Sequence, residues 1–277
     1  MSKKTTYVDY GNIDAVCDRL AEPLPEGSGN QSRRNQARQD WDLNLGYKGA
    51  YAAYTGGWAE GARKAEELAA TLRPRPQGKR TALRRSVTGA FPNVGAYLAG
   101  APDSMYQVSS KAAQGRPYVH LYLPVSYSAF IEADTAFNKG CAMVAMIDAL
   151  EAAGCRVAVT LTFKSAMTGG TVVDRVRVKD YADRLDIDQL IFTAAHPAFF
   201  RRIMFALIER SPVKVSRDST RGGYGHVAEL TDADCPVDGN AVRIMLPTLM
   251  RNGGTPETHL ASMVALLPEE VRTTIEA

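Results

Sequence analysis

The chain has 277 residues, of which 45% are hydrophobic and 23% are charged, and its formal net charge is +3. These values are ordinary for a globular protein, so we expect a sizeable core and exclude both a disulfide-rich miniprotein and wholesale disorder. No apolar run approaches the roughly 18 residues of a membrane-spanning helix, and no apolar segment follows Lys3 and Lys4 to form a signal peptide. We therefore expect a cytoplasmic protein with no membrane partner.

The first forty residues are predicted to form a flexible basic arm, residues 1–40. Residues 27–32 read Gly-Ser-Gly-Asn-Gln-Ser, a composition typical of flexible segments. Arg33, Arg34 and Arg38 follow without an apolar periodicity that a core could bury.

Residues 41–117 are predicted to form a smaller helical region that is rich in cations and aromatic rings. Tyr47, Tyr51 and Tyr54 recur at helical spacing, and a second helical run ends at Pro74. An exposed connector rich in Pro and Gly begins there.

The remainder, residues 118–277, is predicted to be an α/β domain. A strand over 118–125, a helix over 134–153 and a strand over 156–163 form the crossover unit of a parallel sheet, in which the helix covers the sheet face that it crosses. Further strands and helices alternate along the rest of the chain. The fold class is therefore α/β, with a mostly parallel sheet and helices on both of its faces.

The first predicted strand of this domain ends in Pro124-Val-Ser126-Tyr-Ser128. With the long helix and the apolar strand that follow, residues 118–267 resemble the von Willebrand factor A type of doubly wound domain. In that family the first strand ends in Asp-x-Ser-x-Ser, whose oxygens hold a divalent cation. Here Pro124 replaces the carboxylate, and a hard cation needs anionic ligands. We therefore predict no bound metal and no other cofactor.

Motifs for catalysis and for phosphate binding are missing from the sequence. Neither G-x-x-x-x-G-K-[ST] nor G-x-G-x-x-G occurs between a strand and a helix, and there is no G-x-S-x-G turn. A loop over residues 222–225, flanked by Arg217 and Arg221, has backbone N–H groups that suit a phosphate. We predict that the protein is not an enzyme, while a deep pocket lined by ionisable groups would favour an unrecognised enzyme.

Positive charge is spread unevenly. Residues 1–118 carry 17 Lys and Arg against 11 Asp and Glu, which gives +6 and leaves −3 for the remaining residues. Eight cations lie between Arg63 and Arg85, where only Glu66 and Glu67 oppose them. A polyanion would relieve the repulsion among these cations by releasing its own counterions.

Aromatic rings accompany these cations, and flat rings can stack on unpaired bases. The two residue types together predict a non-enzymatic protein that binds single-stranded DNA with little sequence specificity. The same tyrosine stripe is also typical of the buried face of a small helical unit, and that alternative stays open. The predicted contacts are Arg33, Arg34, Arg38, Arg73, Arg75, Lys79, Arg80, Arg84, Arg85, Arg201, Arg202, Arg217, Arg221, Tyr47, Tyr51 and Trp58.

The segments Gly57-Trp-Ala-Glu-Gly61, Gly89-Ala-Phe-Pro-Asn-Val94 and Gly100-Ala-Pro-Asp-Ser-Met105 resemble those of uncharacterised phage proteins. In size, charge and mixed architecture the whole chain resembles a single-stranded-DNA-binding RNA polymerase cofactor of lytic short-tailed phages. That resemblance implies binding of single strands, a phage RNA polymerase as partner, and residence in the cytoplasm of an infected host. The alternative function is a protein-interaction module built on a von Willebrand A-like domain without metal.

Overall fold

The computed structural model describes residues 4–26, 28, 30–33, 43–72, 82–89, 91–109, 117–128, 130–167, 170–211 and 226–276. In chain order the elements are β1 (Thr5–Tyr10), α1 (Ile13–Ala21), α2 (Gly46–Gly56), α3 (Ala59–Leu72), β2 (Ala82–Ser86), β3 (Phe91–Pro92), α4 (Val94–Leu98), β4 (Met105–Ser109), β5 (Tyr118–Pro124), α5 (Ala133–Ala152), β6 (Arg156–Met167), β7 (Gly170–Lys179), α6 (Ile187–Ala195), a π-helical segment (Phe199–Met204), α7 (Phe205–Ile208), β8 (His226–Val227), a 3-10 helix (Asp232–Asp234), β9 (Val242–Met245), α8 (Pro256–Val264) and α9 (Glu269–Glu276).

The predicted α/β fold class is confirmed. The large sheet has the strand order β1-β7-β6-β5-β9, and β8 pairs with β6. β1 pairs with β7 in parallel, and β5 pairs in parallel with both β6 and β9, whereas β6 and β7 are antiparallel. The sheet is therefore mixed and mostly parallel, with helices around it. A separate antiparallel sheet has the order β2-β4-β3.

The two faces of the large sheet differ in chemistry, because successive side chains of a strand point to opposite faces. One face carries the row Leu123, Leu161 and Val176, all of which are buried in the main core with residues of α5. The opposite face carries the neighbouring row Tyr122, Thr160 and Arg177. The apolar face therefore packs against α5, and the row of polar residues lies on the opposite face.

Helix α5 passes very close to α6 at Gly140. A Cβ at Gly140 would collide with the Cβ of Ala195, so the two helices approach to a distance that only glycine allows. Both residues are buried, and the neighbouring residues of α5 form part of the core.

Replacing Gly140 by Ala should lower the free energy of unfolding by about 1–3 kcal/mol, because overpacking a tight contact outweighs the gain of about 1 kcal/mol in helix propensity. Chemical denaturation followed by circular dichroism measures the change. Gly56→Ala at the end of α2 is the matched control, since nothing lies within 4 Å of a Cβ there. Equal stability of the two variants would contradict the close packing of α5 on α6.

The prediction of a flexible arm over residues 1–40 is wrong for the described part of that segment. β1 forms an edge of the large sheet, and α1 buries Val16 and Leu20 in the core. Further along, the backbone N–H of the buried Ser32 donates to Glu209 Oε1 at 2.9 Å, and its hydroxyl donates to Oε2 at 2.5 Å. Pairing with β7, some 165 residues away in register, orders a segment whose own sequence contains few apolar residues.

The predicted boundary at residues 41–117 also differs from the structure. The chain divides into a larger unit, Met1–Pro74 with Pro117–Glu276, and a smaller unit, Arg75–Arg116. α2 and α3 belong to the larger unit, because Tyr54 is fully buried there, with its ring 5.6 Å from that of Phe199. The described elements of the smaller unit are β2, β3, α4 and β4, so this unit is built mainly from strands rather than helices.

Among the described residues, no single helix combines the length and the apolarity needed to cross a membrane. Two successive helical segments, Ile187–Ala195 and Phe199–Ile208, meet that test only as a pair, and they are bent by 71° relative to each other. Most of their residues are buried in the core.

Candidate nucleic-acid interface

The smaller unit is organised by its central strand β4. Tyr106 on β4 lies opposite Arg85 of β2 on one side and opposite Phe91 of β3 on the other, so the three residues form a row across the sheet. Residues directly opposite each other in antiparallel strands share a face. Gly89, between β2 and β3, passes so close to the carbonyl of Tyr106 that a Cβ would collide with it.

Helix α4 follows β3 and is fixed by Asn93. The side-chain oxygen of Asn93 accepts a hydrogen bond from the N–H of Ala96 at 3.1 Å, which caps the helix, and its amide donates to the Tyr106 hydroxyl at 2.9 Å. The helix stops before Gly100, whose φ of 71° suits glycine. A single asparagine therefore connects α4 to the small sheet.

Large apolar side chains of the smaller unit are exposed. The ring of Phe91 is 57% exposed and that of Tyr97 is 71% exposed, and Val87, Val94 and Leu98 are exposed beside them in the sequence. A folded domain normally buries such residues, and exposed clusters of them are typical of binding surfaces. We name Phe91 and Tyr97 the exposed rings.

The smaller unit is also strongly basic. Residues 75–116 contain seven Lys and Arg against one acidic residue, Asp103, which gives a net charge of +6. Since the whole chain carries +3, the larger unit carries −3. Arg85 pairs with Asp103 at 2.8 Å, but both partners are exposed, and such pairs contribute little in water. Positive charge and exposed rings thus occur in the same short stretch of chain.

The rings that were predicted to stack on bases are partly used in packing. Tyr47 and Tyr51 are half-buried, and the guanidinium of the exposed Arg33 lies 5.0 Å from the centre of the Tyr47 ring. Trp58 is half-buried and packs edge-on against the rings of Phe137 at 5.9 Å and His196 at 4.6 Å. Of Arg33, Tyr47, Tyr51 and Trp58, only Arg33 is exposed.

Arg201 and Arg202 are buried, contrary to the prediction that they contact DNA. Both are only 4% exposed, since they lie in the buried π-helical segment. Arg202 donates to the carbonyl of Ser32 at 3.0 Å, and the Arg201 guanidinium lies 6.0 Å from the Tyr127 ring. These arginines belong to the core of the larger unit and form no part of a surface track for DNA.

The other predicted contacts fall mostly outside the described residues. β2 contains Arg84 and Arg85, and the side chain of Arg85 is exposed. The positions outside the described part are Arg34, Arg38, Arg73, Arg75, Lys79, Arg80, Arg217 and Arg221.

The exposed rings were missed by the sequence analysis. Phe91 and Tyr97 stand in a stretch rich in Gly, Ala and Pro, with no apolar periodicity that would place them in a core. Isolated rings in such a stretch, beside a block of cations, are the signal that identifies them. The stacking role was predicted instead for the tyrosines at helical spacing, although such regular spacing is typical of a buried helix face.

The two serines that match the metal motif of the von Willebrand A family follow directly after β5. Ser126 is buried, and the Ser128 hydroxyl accepts a hydrogen bond from the N–H of Phe130 at 3.4 Å. In the described residues, no group of three or more His, Cys, Asp or Glu side chains is placed to hold a metal ion.

The fold and the distribution of charge along the sequence define an α/β protein with a small β unit of net positive charge. Residues 2–267 match the model of a family described as a domain of unknown function, DUF7192. The chain belongs to that family. No curated protein and no solved structure matches the chain, so the resemblances to the von Willebrand A domain and to phage cofactors stay predictions.

Proposed function

We propose that the protein binds single-stranded nucleic acid, DNA in particular, with little sequence specificity, and that the smaller unit makes the main contacts. The observation that supports this proposal is the occurrence of a net charge of +6 and two exposed rings within residues 75–116. Cations offset the backbone phosphates, and rings stack on the bases.

The composition of the two units favours contacts confined to the smaller one. The larger unit carries −3 and would repel a polyanion, and two cations of its sheet face are engaged with carboxylates, in the pairs Arg175–Asp9 and Arg243–Asp232. A strand bound to the smaller unit keeps its phosphates among cations.

A preference for single strands follows from the exposed rings. Bases in an intact duplex are already stacked on one another, so the exposed rings gain contacts only with unpaired bases. The described helix of the smaller unit, α4, has five residues, which is short for a helix that reads a major groove. The proposal that such binding serves a phage RNA polymerase rests on the resemblance to phage proteins alone.

The triple variant Arg80→Ala, Arg84→Ala and Arg85→Ala tests the electrostatic part of this proposal. We expect weaker binding to a fluorescent single-stranded oligonucleotide and a salt dependence flatter by about 2 units of log K against log salt, at about 0.7 for each lost phosphate contact. Fluorescence anisotropy at a series of salt concentrations measures both quantities.

The matched control replaces three exposed cations of the larger unit, Lys48, Arg156 and Arg251, by Ala. It removes the same charge and should leave the salt slope unchanged. Equal effects of the two triple variants would contradict a role for the smaller unit. No binding at low salt, together with a stable protein complex that survives nuclease treatment, would refute the proposal in favour of a protein-interaction module.

A further inference from the structure

The polar face of the large sheet contains a cavity of about 590 Å³, within the larger unit. This volume is typical of sites for small molecules. Side chains of β1, β5, β6 and β7 form its floor, and the residues that follow β7 and precede β9 form its walls. The residues that matter for binding are Asp9, Tyr122, Arg175, Arg177, Tyr181 and Asp238.

One wall is fixed to the sheet by specific contacts. The Tyr122 hydroxyl donates to the carbonyl of Pro236 at 2.7 Å. Beside it, Lys164 forms an ion pair with the buried Asp234 at 2.7 Å, and Arg243 forms one with Asp232 at 2.9 Å. These contacts attach residues 232–236 to the sheet. Asp238, which follows this segment, is therefore held over the sheet.

The two arginines of the cavity differ in how they are engaged. Arg175 forms a closed fork with Asp9, with Nε and Nη2 at 2.5 and 2.7 Å from the two carboxylate oxygens. Arg177 lies at 3.3 Å or more from Asp238 Oδ2 and at 3.5 Å from Asp180 Oδ1. Charge-assisted bonds are normally about 2.7–2.9 Å long, so the guanidinium of Arg177 is held only loosely.

Beneath these groups lies His120, which is 1% exposed. Its Nε2 is hydrogen-bonded to Thr160 Oγ1 at 2.8 Å, and its ring stacks on Tyr122 at 4.2 Å. Nδ1 has no hydrogen-bond partner among the described residues, and it faces Asp238 Oδ2 at 3.9 Å. Burial, and then the positive charge of Arg177, lower the pKa of His120 to about 4, so the imidazole is neutral at neutral pH. His120 lies behind the cavity lining and adds no charge to it at neutral pH.

Charge decides which class of ligand fits. The cavity is lined by two guanidiniums, Arg175 and Arg177, and by three carboxylates, Asp9, Asp180 and Asp238. An anion would meet the carboxylates, and a cation would meet the guanidiniums, whereas a molecule with both charges can satisfy each sign without leaving either unpaired.

We propose that this cavity binds a small zwitterion of the α-amino acid class. Its carboxylate would take the place of the loose carboxylate contacts on Arg177, which offers a planar fork of donors. Its ammonium would lie between Asp180 and Asp238, whose side chains are 60% and 44% exposed. The rings of Tyr122 and Tyr181 leave an apolar wall for the side chain of the ligand. This inference is independent of the proposed nucleic-acid function.

Isothermal titration calorimetry on the full chain tests the proposal, with the proteinogenic L-amino acids titrated one at a time and with monosaccharides and nucleoside monophosphates as the other classes. We expect saturable binding of at least one amino acid. Its N-acetyl derivative and its amide should each bind at least about tenfold more weakly, because each lacks one charge. Binding of no amino acid, or tighter binding of a sugar or a nucleotide, would overturn the proposal.

Arg177→Gln should weaken binding of the same amino acid by about 10- to 100-fold, since a charge-assisted bond contributes about 1.5–3 kcal/mol. Arg251→Gln is the matched control, because Arg251 is exposed, belongs to the same unit and does not line the cavity. Should Arg177→Gln fold poorly, Asp238→Asn replaces it. This variant should weaken binding of the amino acid by a larger factor than binding of its N-acetyl derivative, which carries no ammonium group. Equal losses in the Arg177 and Arg251 variants would contradict the proposed site.

Discussion

Replacing both Phe91 and Tyr97 by Ala is expected to weaken binding to a single-stranded oligonucleotide by about 30-fold or more. Stacking of a base on an aromatic side chain contributes about 1–3 kcal/mol, so the loss of two rings removes at least about 2 kcal/mol. Because both rings are more than half exposed, the variant should unfold at nearly the same denaturant concentration as the wild type. Anisotropy titration and chemical denaturation measure these two quantities.

The matched control is Phe130→Ala, which removes a ring of the larger unit that is 85% exposed. It should leave the affinity unchanged. The salt slope of the Phe91 and Tyr97 double variant should also be unchanged, because rings release no counterions. An unaltered affinity of the double variant would show that bases do not stack on these rings.

Asp174→Asn is expected to stabilise the protein by about 2–4 kcal/mol above neutral pH. Asp174 lies on β7 between Val8 and Phe163, on the apolar face of the sheet, and is 1% exposed. Burial raises the pKa of its carboxyl group to about 7, while the charge of Arg19 opposes that rise. Above that pH the folded protein must keep an ionised carboxylate in an apolar site, and the amide removes this cost.

The pH dependence of the Asp174 effect has a definite sign. Between about pH 4 and pH 7 the folded state binds more protons at Asp174 than the unfolded state does, so the wild type loses stability as the pH rises through this range. The gain from Asp174→Asn should therefore be small near pH 4 and largest above pH 7. Denaturation at several pH values measures it, with the exposed Asp18→Asn as control. A gain that does not vary with pH would contradict the raised pKa.

The α/β class could be predicted from the sequence because the central elements of the sheet are consecutive in the chain. β5, α5 and β6 follow one another, and the helix is bracketed by two apolar strands with a glycine after it. β1 could not be predicted, because it pairs with β7, which lies far along the chain, and no local sequence pattern indicates that pairing. Long-range pairing, rather than propensity, therefore limits what the sequence predicts.

The cations of the candidate interface were found from the sequence, whereas its exposed rings were not. The block of cations up to Arg85 is a sequence property, and the structure sets β2 into a small sheet. The rings were assigned to Tyr47, Tyr51 and Trp58, yet Trp58 packs on Phe137, nearly eighty residues away. Whether a ring stacks or packs depends on partners that are distant in sequence.

The cavity on the polar sheet face shows the same limit. Tyr122, Arg177 and Asp238 come from three separate parts of the chain, and neither spacing nor motif connects them. Their ionisable side chains surround a pocket of the kind that the sequence analysis associated with an enzyme. The zwitterion site proposed above accounts for the same groups as a binding site.

The most direct test of nucleic-acid binding compares the affinity of the intact chain for a single-stranded oligonucleotide and for the duplex of the same sequence, by fluorescence anisotropy as salt is raised. We predict saturable binding to the single strand, weaker binding to the duplex, and a log-linear loss of affinity with salt. Absence of binding to the single strand at low salt, or equal affinity for both forms, would contradict this prediction.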